Sequence, residues 1–210
     1  METKITTDKG IVYRTAAKDD LAAIVAVHLE CFKGYFLSEL GRDLLHKYYL
    51  EFYAENPELF AVAEESGTIV GFVMGMLDGS TARKMFVKNN MFSLGLRMSA
   101  LLLTLNKNAW SRLIGGFSSL FKRKQISDEI SSSSVGYGTL LSIAVLPGSS
   151  GKGIGQNLVF SYEELIKRSN YNKCRLSVRA ENTGAIALYK KCGYLVYKET
   201  ESELGFHKML

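Results

Sequence analysis

The sequence is poor in the residues that interrupt or cross-link a chain. It contains only 2 prolines and 3 cysteines among 210 residues. The scarcity of proline disfavours long irregular linkers, and the odd number and wide spacing of Cys31, Cys174 and Cys192 fit neither a disulfide framework nor a zinc site. We therefore expect reduced thiols and no bound metal. The polar start, METKITTDKG, lacks the apolar stretch of a signal peptide, which leads us to expect a cytoplasmic protein.

Long hydrophobic runs are also missing. The most apolar stretch, MFSLGLRMSALLLTL at residues 91–105, is shorter than the roughly 20 residues that cross a bilayer, and it contains Arg97. The sequence therefore predicts no membrane-spanning helix.

Acidic residues are absent from residues 79–127, so the nine basic residues there give the segment a formal charge of +9, against +5 for the whole chain. A local basic field of this kind indicates an anionic partner: a phosphorylated substrate, an acidic membrane surface or a nucleic acid. No nucleic-acid recognition motif accompanies the charge, so we do not expect nucleic acid as a partner. The nine residues are Arg83, Lys84, Lys88, Arg97, Lys107, Arg112, Lys122, Arg123 and Lys124.

The spacing of apolar residues predicts an α/β protein with one domain over residues 1–210. The first half is expected to contain a strand, two helices and a hairpin, at residues 11–16, 18–32, 39–55 and 57–78, with Ser38 capping the second helix. The second half is expected to contain a strand, a helix, a strand, a helix and two strands, at residues 136–147, 154–169, 172–180, 182–193, 194–200 and 204–210. A basic insertion at about 79–135 separates the halves, and we expect helices in it at residues 91–105 and 109–124.

A glycine-rich stretch, LPGSSGKGIGQNLVF at residues 146–160, joins the first strand of the second half to its helix. It does not match the P-loop pattern, because Gly153 follows Lys152 where Ser or Thr is required. It does not match the dinucleotide pattern GxGxxG either, because Gln156 or Leu158 stands at the third glycine position. Two interpretations remain: an ordinary tight turn, or a cradle in which free backbone N–H groups at 151–156 and the helix dipole bind a pyrophosphate.

A second motif favours the cradle. The stretch ENTGAIALYKKCGY at residues 181–194 follows one helix and one strand later. Together the two stretches resemble the signature of the Gcn5-related N-acetyltransferase (GNAT) superfamily, Q/R-x-x-G-x-G/A followed by N-x-x-A-x-x-L-Y-x-K-x-G-F/Y. Gly153 and Gly155 match the first pattern, while Ser150 departs from its Gln or Arg. The second pattern is matched by Asn182, Ala185, Leu188, Tyr189, Lys191, Gly193 and Tyr194.

The resemblance implies a mixed, mostly antiparallel sheet of about seven strands, with two splayed central parallel strands and helices on both faces. It also implies acetyl-CoA as acyl donor, lying between those two strands with its pantetheine arm along the first of them. The implied cofactor-binding residues are Ile143, Ala144, Val145, Gly151, Lys152, Gly153, Ile154, Gly155, Gln156, Asn182, Ala185 and Tyr189.

The chemistry that the resemblance implies is direct attack of an amine on the thioester in a ternary complex, with Tyr189 as the general acid. The general base is harder to assign, because residues 131–150 contain neither Asp nor Glu. We take Glu30 as the candidate, with His28, Glu39 and a water held by Tyr137 as alternatives. His28 fits a core histidine better than a base.

The acceptor is predicted only by class. Residues 28–49 resemble a segment of GNAT proteins from surface-glycan pathways, which suggests a nucleotide-linked or glycan-pathway amino sugar that the basic insertion would attract. The alternatives are acetylation of a protein or small-molecule amine, or a non-catalytic acyl-CoA-binding module. Peripheral contact with an acidic membrane is a further possibility. The sequence is compatible with a monomer or a homodimer.

Overall fold

The computed structural model describes residues 4–8, 10–104 and 136–210, and it contains one eight-stranded sheet in the order β1-β2-β3-β4-β5-β6-β8-β7. The strands are β1 (Lys4–Asp8), β2 (Ile11–Thr15), β3 (Phe60–Glu65), β4 (Thr68–Leu77), β5 (Gly138–Val145), β6 (Lys173–Arg179), β7 (Leu195–Glu199) and β8 (Glu203–Met209). The helices are α1 (Leu21–Cys31), α2 (Phe36–Glu39), α3 (Arg42–Glu55), α4 (Ala82–Thr104), α5 (Ile154–Arg168) and α6 (Thr183–Lys191).

The sheet is antiparallel except where β5 and β6 meet as a parallel pair. This arrangement confirms the predicted α/β class with a mostly antiparallel sheet and two central parallel strands. The seven predicted strands are all present. The eighth, β1, pairs with β2 at the edge of the sheet.

Helices cover both faces of the sheet, as predicted. One buried cluster joins α1, α3 and α4 to the sheet, with Leu45 and Phe72 among its fully buried members. The other cluster joins α5 and α6 to the opposite face. Close contact between α5 and β4 requires a glycine at position 75, because a Cβ there would collide with the Tyr162 side chain. The Tyr162 hydroxyl donates to the Thr139 carbonyl oxygen at 2.9 Å, which ties α5 to β5.

The alternation predicted for residues 174–179 is present in β6. Cys174, Leu176 and Val178 are buried in the cluster beneath α5 and α6. Arg175 and Arg179 lie on the opposite face. Helix α1 packs on this side of the sheet against β4 and β5. The side chains of β6 on the same side belong to the candidate site described below.

One predicted helix is split in two. Residues 39–55 were expected to form one helix capped by Ser38, but α2 ends at Glu39 and α3 begins at Arg42. Gly41, which lies between them, has a φ of 90°, a backbone conformation that a right-handed helix cannot contain. The Ser38 hydroxyl donates to the Phe32 carbonyl oxygen at 2.7 Å, so it holds the α1–α2 turn rather than capping α3.

The first helix of the basic insertion is longer than predicted. Helix α4 begins at Ala82 rather than at residue 91, and Asn90 kinks it with φ −121° and ψ 17°. The second predicted helix, at 109–124, lies outside the described residues. Within the described parts of the chain, no helix combines the length and apolar character needed to cross a membrane.

The start of α4 is capped by a carboxylate from another helix. Glu55, at the end of α3, accepts hydrogen bonds from the backbone N–H groups of Thr81 (2.8 Å) and Ala82 (3.3 Å) and from the hydroxyls of Ser80 and Thr81. Burial alone would raise the pKa of Glu55, but these hydrogen bonds together lower it below its ordinary value of 4.5. The carboxylate therefore links α3 to α4.

We expect Glu55→Gln to lower the free energy of unfolding by about 0.5–1 kcal/mol, because the amide is a weaker cap and the exposed site is screened by water. Since the folded pKa is depressed, the carboxylate stabilises the protein above the ordinary pKa of 4.5, and this stabilisation disappears as the pH falls through the folded pKa. Thermal unfolding of both proteins between neutral pH and pH 3 measures the effect. Glu58→Gln, with the same charge change in the next turn of the chain, is the control. A difference that does not shrink at low pH would contradict the assignment.

Candidate active site

The central feature of the site is a gap between β5 and β6. The two strands pair only at Gly138 with Cys174 and at Thr139 with Arg175, after which they separate. On its other side β5 is paired with β4 as far as Val145, with a bulge near Leu141. The backbone N–H and C=O groups of β5 that face β6 therefore lack strand partners beyond Thr139. An extended ligand can satisfy such groups by taking the place of the missing strand. Of the residues nominated from the sequence, Ile143, Ala144 and Val145 lie along this gap.

The glycine-rich turn follows β5 directly. Gly151 and Gly153 have φ values of 82° and 84°, and α5 begins at Ile154. A Cβ added at either glycine would meet nothing within 4 Å, so their role is conformational and leaves the backbone open to a ligand. The first N–H groups of α5 have no partner within the helix, and the helix dipole adds positive potential there. The turn can therefore bind an anion through backbone groups.

Side chains around the turn organise it and neutralise a nearby carboxylate. The Lys152 ammonium pairs with Glu65 at 2.6 Å, and the Ser149 hydroxyl donates to the same carboxylate at 3.2 Å. The hydrogen bond from Lys152 lowers the pKa of Glu65. Ser150, which departs from the family pattern, donates to the Leu146 carbonyl oxygen at 3.4 Å, within the turn itself.

The second motif supplies the start of α6. The Asn182 side chain is the N-cap, and its Oδ1 accepts from the Ala185 N–H at 3.0 Å. This bond explains the Asn and Ala spacing of the motif and leaves the Asn182 amide hydrogens to donate to a ligand. A Cβ at Gly155 would lie 3.5 Å from Leu188 Cδ2, so the start of α5 packs against α6. The fold thus brings both motifs together.

Tyr189 lies on the buried side of α6. It is 4% exposed, and its ring contacts those of Tyr194 and Phe206 at centroid distances of 5.8 and 6.0 Å. Burial, reinforced by the Cys174 and Cys192 thiols, raises the pKa of Tyr189 above its ordinary value of 10. The phenol therefore keeps its proton at neutral pH, which suits a proton donor and not a base.

His28 is a core residue. Its Nδ1 lies 2.7 Å from the Tyr49 hydroxyl, which in turn lies 3.5 Å from the Ser142 hydroxyl on β5. Within the part of the chain that the structure describes, its Nε2 is buried without a hydrogen-bond partner. Burial lowers the pKa of His28 to about 4, so the ring is neutral at pH 7.

The candidate base Glu30 lies at the surface. Its side chain is 51% exposed and pairs at 2.8 Å with Lys33, which lies in the turn after α1. Glu39 lies at the end of α2, where its backbone carbonyl oxygen accepts from Arg97 at 3.0 Å. None of these contacts connects either carboxylate with Tyr189. The structure thus brings together the two motifs nominated for cofactor binding, but none of these contacts brings a nominated base to them.

Cationic and aromatic side chains gather on the other face of β6. The Arg175 guanidinium carbon lies 3.9 Å from the Tyr137 ring centroid and 5.8 Å from that of Tyr197, and the Tyr197 ring lies 5.6 Å from His207. At the far end of β6, Arg179 lies over the Tyr35 ring at 4.3 Å. Sequence reasoning identified the alternation in β6 but not these partners, because strand pairing and the α1–α2 loop bring them together.

Among residues 4–8, 10–104 and 136–210, no group of three or more His, Cys, Asp or Glu side chains could hold a metal ion.

Comparison with known proteins identifies the family. The sequence matches the family model described as Acetyltransferase (GNAT) family over residues 21–194. The chain therefore belongs to this family of acetyltransferases. Curated proteins give no significant match.

Solved structures with the same fold include three in complex with CoA, acetyl-CoA or a CoA-containing analogue. One is the PaiA N-acetyltransferase from Thermoplasma acidophilum in complex with coenzyme A, with TM-score 0.53, 17% identity, and coverage of 95% of this chain and 99% of that one. Another is YncA, a putative acetyltransferase from Salmonella typhimurium with acetyl-CoA, with TM-score 0.58, 14% identity, and coverage of 96% and 94%. The third is Arabidopsis thaliana Naa50 with a bisubstrate analogue, CoA-Ac-MVNAL, with TM-score 0.57, 16% identity, and coverage of 96% and 99%. At these identities the likeness concerns the fold.

Proposed function

We propose that the protein transfers the acetyl group of acetyl-CoA to a primary amine. The observation that carries the proposal is the gap between β5 and β6, which ends at a turn able to bind an anion through its backbone. The ligand that fits has an amide-containing arm, which can pair with the open edge of β5, and a pyrophosphate, which can bind to the backbone of the turn. Family membership and the CoA ligands of the three similar structures support the same donor.

In this proposal the pantetheine arm lies along Ile143, Ala144 and Val145, where the backbone of β5 lacks a strand partner on the β6 side and the Val145 carbonyl oxygen accepts only from the Cys31 thiol among the contacts described, at 3.3 Å. The pyrophosphate lies on the turn and on the first residues of α5, from Gly151 to Gln156. Asn182 donates to the arm from the start of α6, next to Ala185. The thioester end would then point toward the paired base of the gap.

The proposed reaction is a single displacement. The amine nitrogen bonds to the acetyl carbonyl carbon, the carbon–sulfur bond breaks, and the electron pair leaves with the sulfur. Tyr189 donates its proton to the departing thiolate, and a base accepts a proton from the attacking amine. Glu30 is the base proposed from the sequence, and it would have to leave Lys33 in order to act. Holding both substrates in place supplies much of the rate enhancement.

For the acceptor we propose a nucleotide-linked or glycan-pathway amino sugar. The cationic groups on this face of β6, Arg175 and Arg179, and the basic residues of α4 support an anionic acceptor. Acetylation of a protein amine is the second candidate, supported by the bisubstrate analogue of the similar Naa50 structure. A non-catalytic acyl-CoA-binding module would use the same gap, and a measurement of turnover separates it from an enzyme.

We also propose that α4 contacts an acidic membrane surface. Three large apolar side chains after the kink, Met91, Phe92 and Leu96, are 70%, 84% and 66% exposed. Lys84 and Lys88 are exposed on the same helix, and α4 contains no acidic residue. Apolar side chains can enter the headgroup region while lysines pair with anionic lipids, each cation contributing about 1 kcal/mol.

The first prediction tests cofactor binding. CoA at about one hundred times its Kd should stabilise the protein by about 2.7 kcal/mol, or about 5–10 °C in thermal unfolding. Gly153→Glu should abolish this shift, because it places a carboxylate where the pyrophosphate binds. Gly10→Glu is the matched control, since Gly10 has a φ of 80° and equally open surroundings. A wild-type protein that does not respond to CoA would exclude the proposed function.

The second prediction concerns proton donation. Tyr189→Phe keeps the packed ring and removes the hydroxyl, so kcat should fall about 100-fold while the KM for acetyl-CoA changes little. Tyr194→Phe removes a hydroxyl from the neighbouring ring and should retain wild-type kcat. Steady-state kinetics on an accepted amine measures both. Full turnover by Tyr189→Phe would assign the proton donor elsewhere.

The third prediction concerns the membrane. The protein should sediment with vesicles of phosphatidylcholine and phosphatidylserine, less so as salt is added, and not with phosphatidylcholine alone. Phe92→Glu should weaken binding more than tenfold, whereas Leu195→Glu, at an apolar residue on β7 that is also largely exposed, should not. Binding that is insensitive to salt and lipid charge would contradict the proposal. A second outcome would also contradict it: the wild type does not bind vesicles, and Phe92→Glu loses thermal stability. Another part of the chain would then cover this face of α4.

A further inference from the structure

The most unusual charged side chain of the described residues is Arg175, which is only 6% exposed. Charged groups are almost never buried so deeply unless they are paired. None of the ion pairs between described residues involves Arg175. Its described contacts are aromatic, with Tyr137 and Tyr197 on two different elements. The carboxylate of Asp78 lies close to Tyr137. The pKa of the Tyr137 phenol is raised, first by burial and then by the negative charge of Asp78.

The same face of the sheet carries two more nitrogen-containing side chains close to the guanidinium. His207 is the residue directly opposite Arg175 in the antiparallel pairing of β6 with β8. Directly opposed residues have Cβ atoms about 4.5–5.5 Å apart on one face. Lys173 precedes Arg175 by two residues and therefore projects from the same face of β6. Arg175 is the last residue of β6 paired with β5, so it lies at the base of the gap, with His207 beside it and Lys173 two residues further from the opening.

The basic groups of this set lie close enough to repel one another. Burial lowers the pKa of Lys173, and the nearby positive charge of Arg175 lowers it further. Burial likewise lowers the pKa of His207, again with Lys173 and Arg175 adding to the effect. An anion bound among these groups would relieve the repulsion between them. Perturbed titratable groups around a cleft are a recognised property of functional sites.

We propose that Lys173, Arg175 and His207 form a binding subsite for the anionic group of the acceptor, a phosphate or a carboxylate. The inference rests on the proposed function, because it assigns the anion to the acceptor rather than to the donor. The Tyr137 ring covers one face of the guanidinium, and the N–H groups that do not contact Tyr137 remain to bind the oxygens of an oxyanion. The subsite therefore favours amines that carry such a group.

The subsite is separate from the glycine-rich turn. From Thr139, at the paired base, to Val145, at the end of β5, the chain takes six residue steps of about 3.3 Å each, which makes about 20 Å. The pyrophosphate site lies beyond Val145, whereas Arg175 lies at the base. The anion at Arg175 is therefore not a phosphate that binds to the turn, and the acyl end of the donor would lie between the two.

Kinetics with paired acceptors tests the proposal. Glucosamine 6-phosphate against glucosamine tests phosphate, and glycine against glycinamide tests carboxylate. Arg175→Gln should raise the KM for the preferred anionic amine about 10- to 100-fold, and leave kcat/KM for its uncharged partner within about twofold. Arg175→Lys should recover part of the loss. Arg168→Gln, which removes an exposed cation from α5, is the control and should behave as wild type. An equal loss for both members of each pair would overturn the proposal.

Binding of inorganic phosphate tests the subsite independently of catalysis. With CoA at saturation to occupy the turn, calorimetry should detect a phosphate site in the wild type that is weakened at least tenfold in Arg175→Gln. A lack of CoA binding would exclude the proposed function. The phosphate titration is then made in Gly153→Glu, in which a carboxylate takes the place of CoA at the turn. If Arg175→Gln does not fold, the double variant Lys173→Gln, His207→Gln, at two partly exposed positions, replaces it. Unchanged phosphate binding in the folded variant would overturn the proposal.

Discussion

Strands β5 and β6 share two residue pairs, although each is paired along its whole length with its outer neighbour. This unequal pairing is the constraint on which the site depends. A strand that is held on one edge can leave its other edge open without unfolding, and the Tyr162 hydroxyl adds a side-chain bond to Thr139 at the last paired position. The unpaired backbone groups are therefore fixed in position before a ligand arrives. Preorganisation of this kind reduces the entropy that ligand binding costs.

The gap also separates two anion-binding chemistries. At its open end the turn from Gly151 to Gly153 offers backbone N–H groups and a helix dipole, which do not depend on side-chain identity. At its paired base the Arg175 guanidinium offers a fixed side-chain charge between tyrosines. Backbone groups suit a ligand part that is common to every reaction of the family, whereas side chains can differ between relatives and so determine which amine is accepted. In the proposed function, donor and acceptor recognition therefore lie at opposite ends of one gap.

The sequence predicted the elements whose signals are local. Seven strands, the helix after the glycine turn and the Asn182 cap follow from apolar periodicity and cap chemistry, both of which act within a few residues. The split at Gly41 was missed, because a single glycine in a helical pattern indicates a break only when its φ is known. The contacts of Arg175 were missed for a different reason. Tyr137 and Tyr197 lie 38 and 22 residues away along the chain, and only strand pairing brings them together.

Burial decides which groups can exchange protons at neutral pH. It lowers the pKa of His28 and raises that of Tyr189, so both are held in their neutral forms. A neutral phenol can still donate a proton to a thiolate as it leaves, but a histidine whose pKa is about 4 is a weak acceptor for the proton of an alkyl ammonium ion. The base must therefore act where water or an exposed carboxylate such as Glu30 reaches the gap. In the proposed reaction acid and base would then be separated by burial, because Tyr189 lies in the core beneath α6 whereas Glu30 is exposed to solvent.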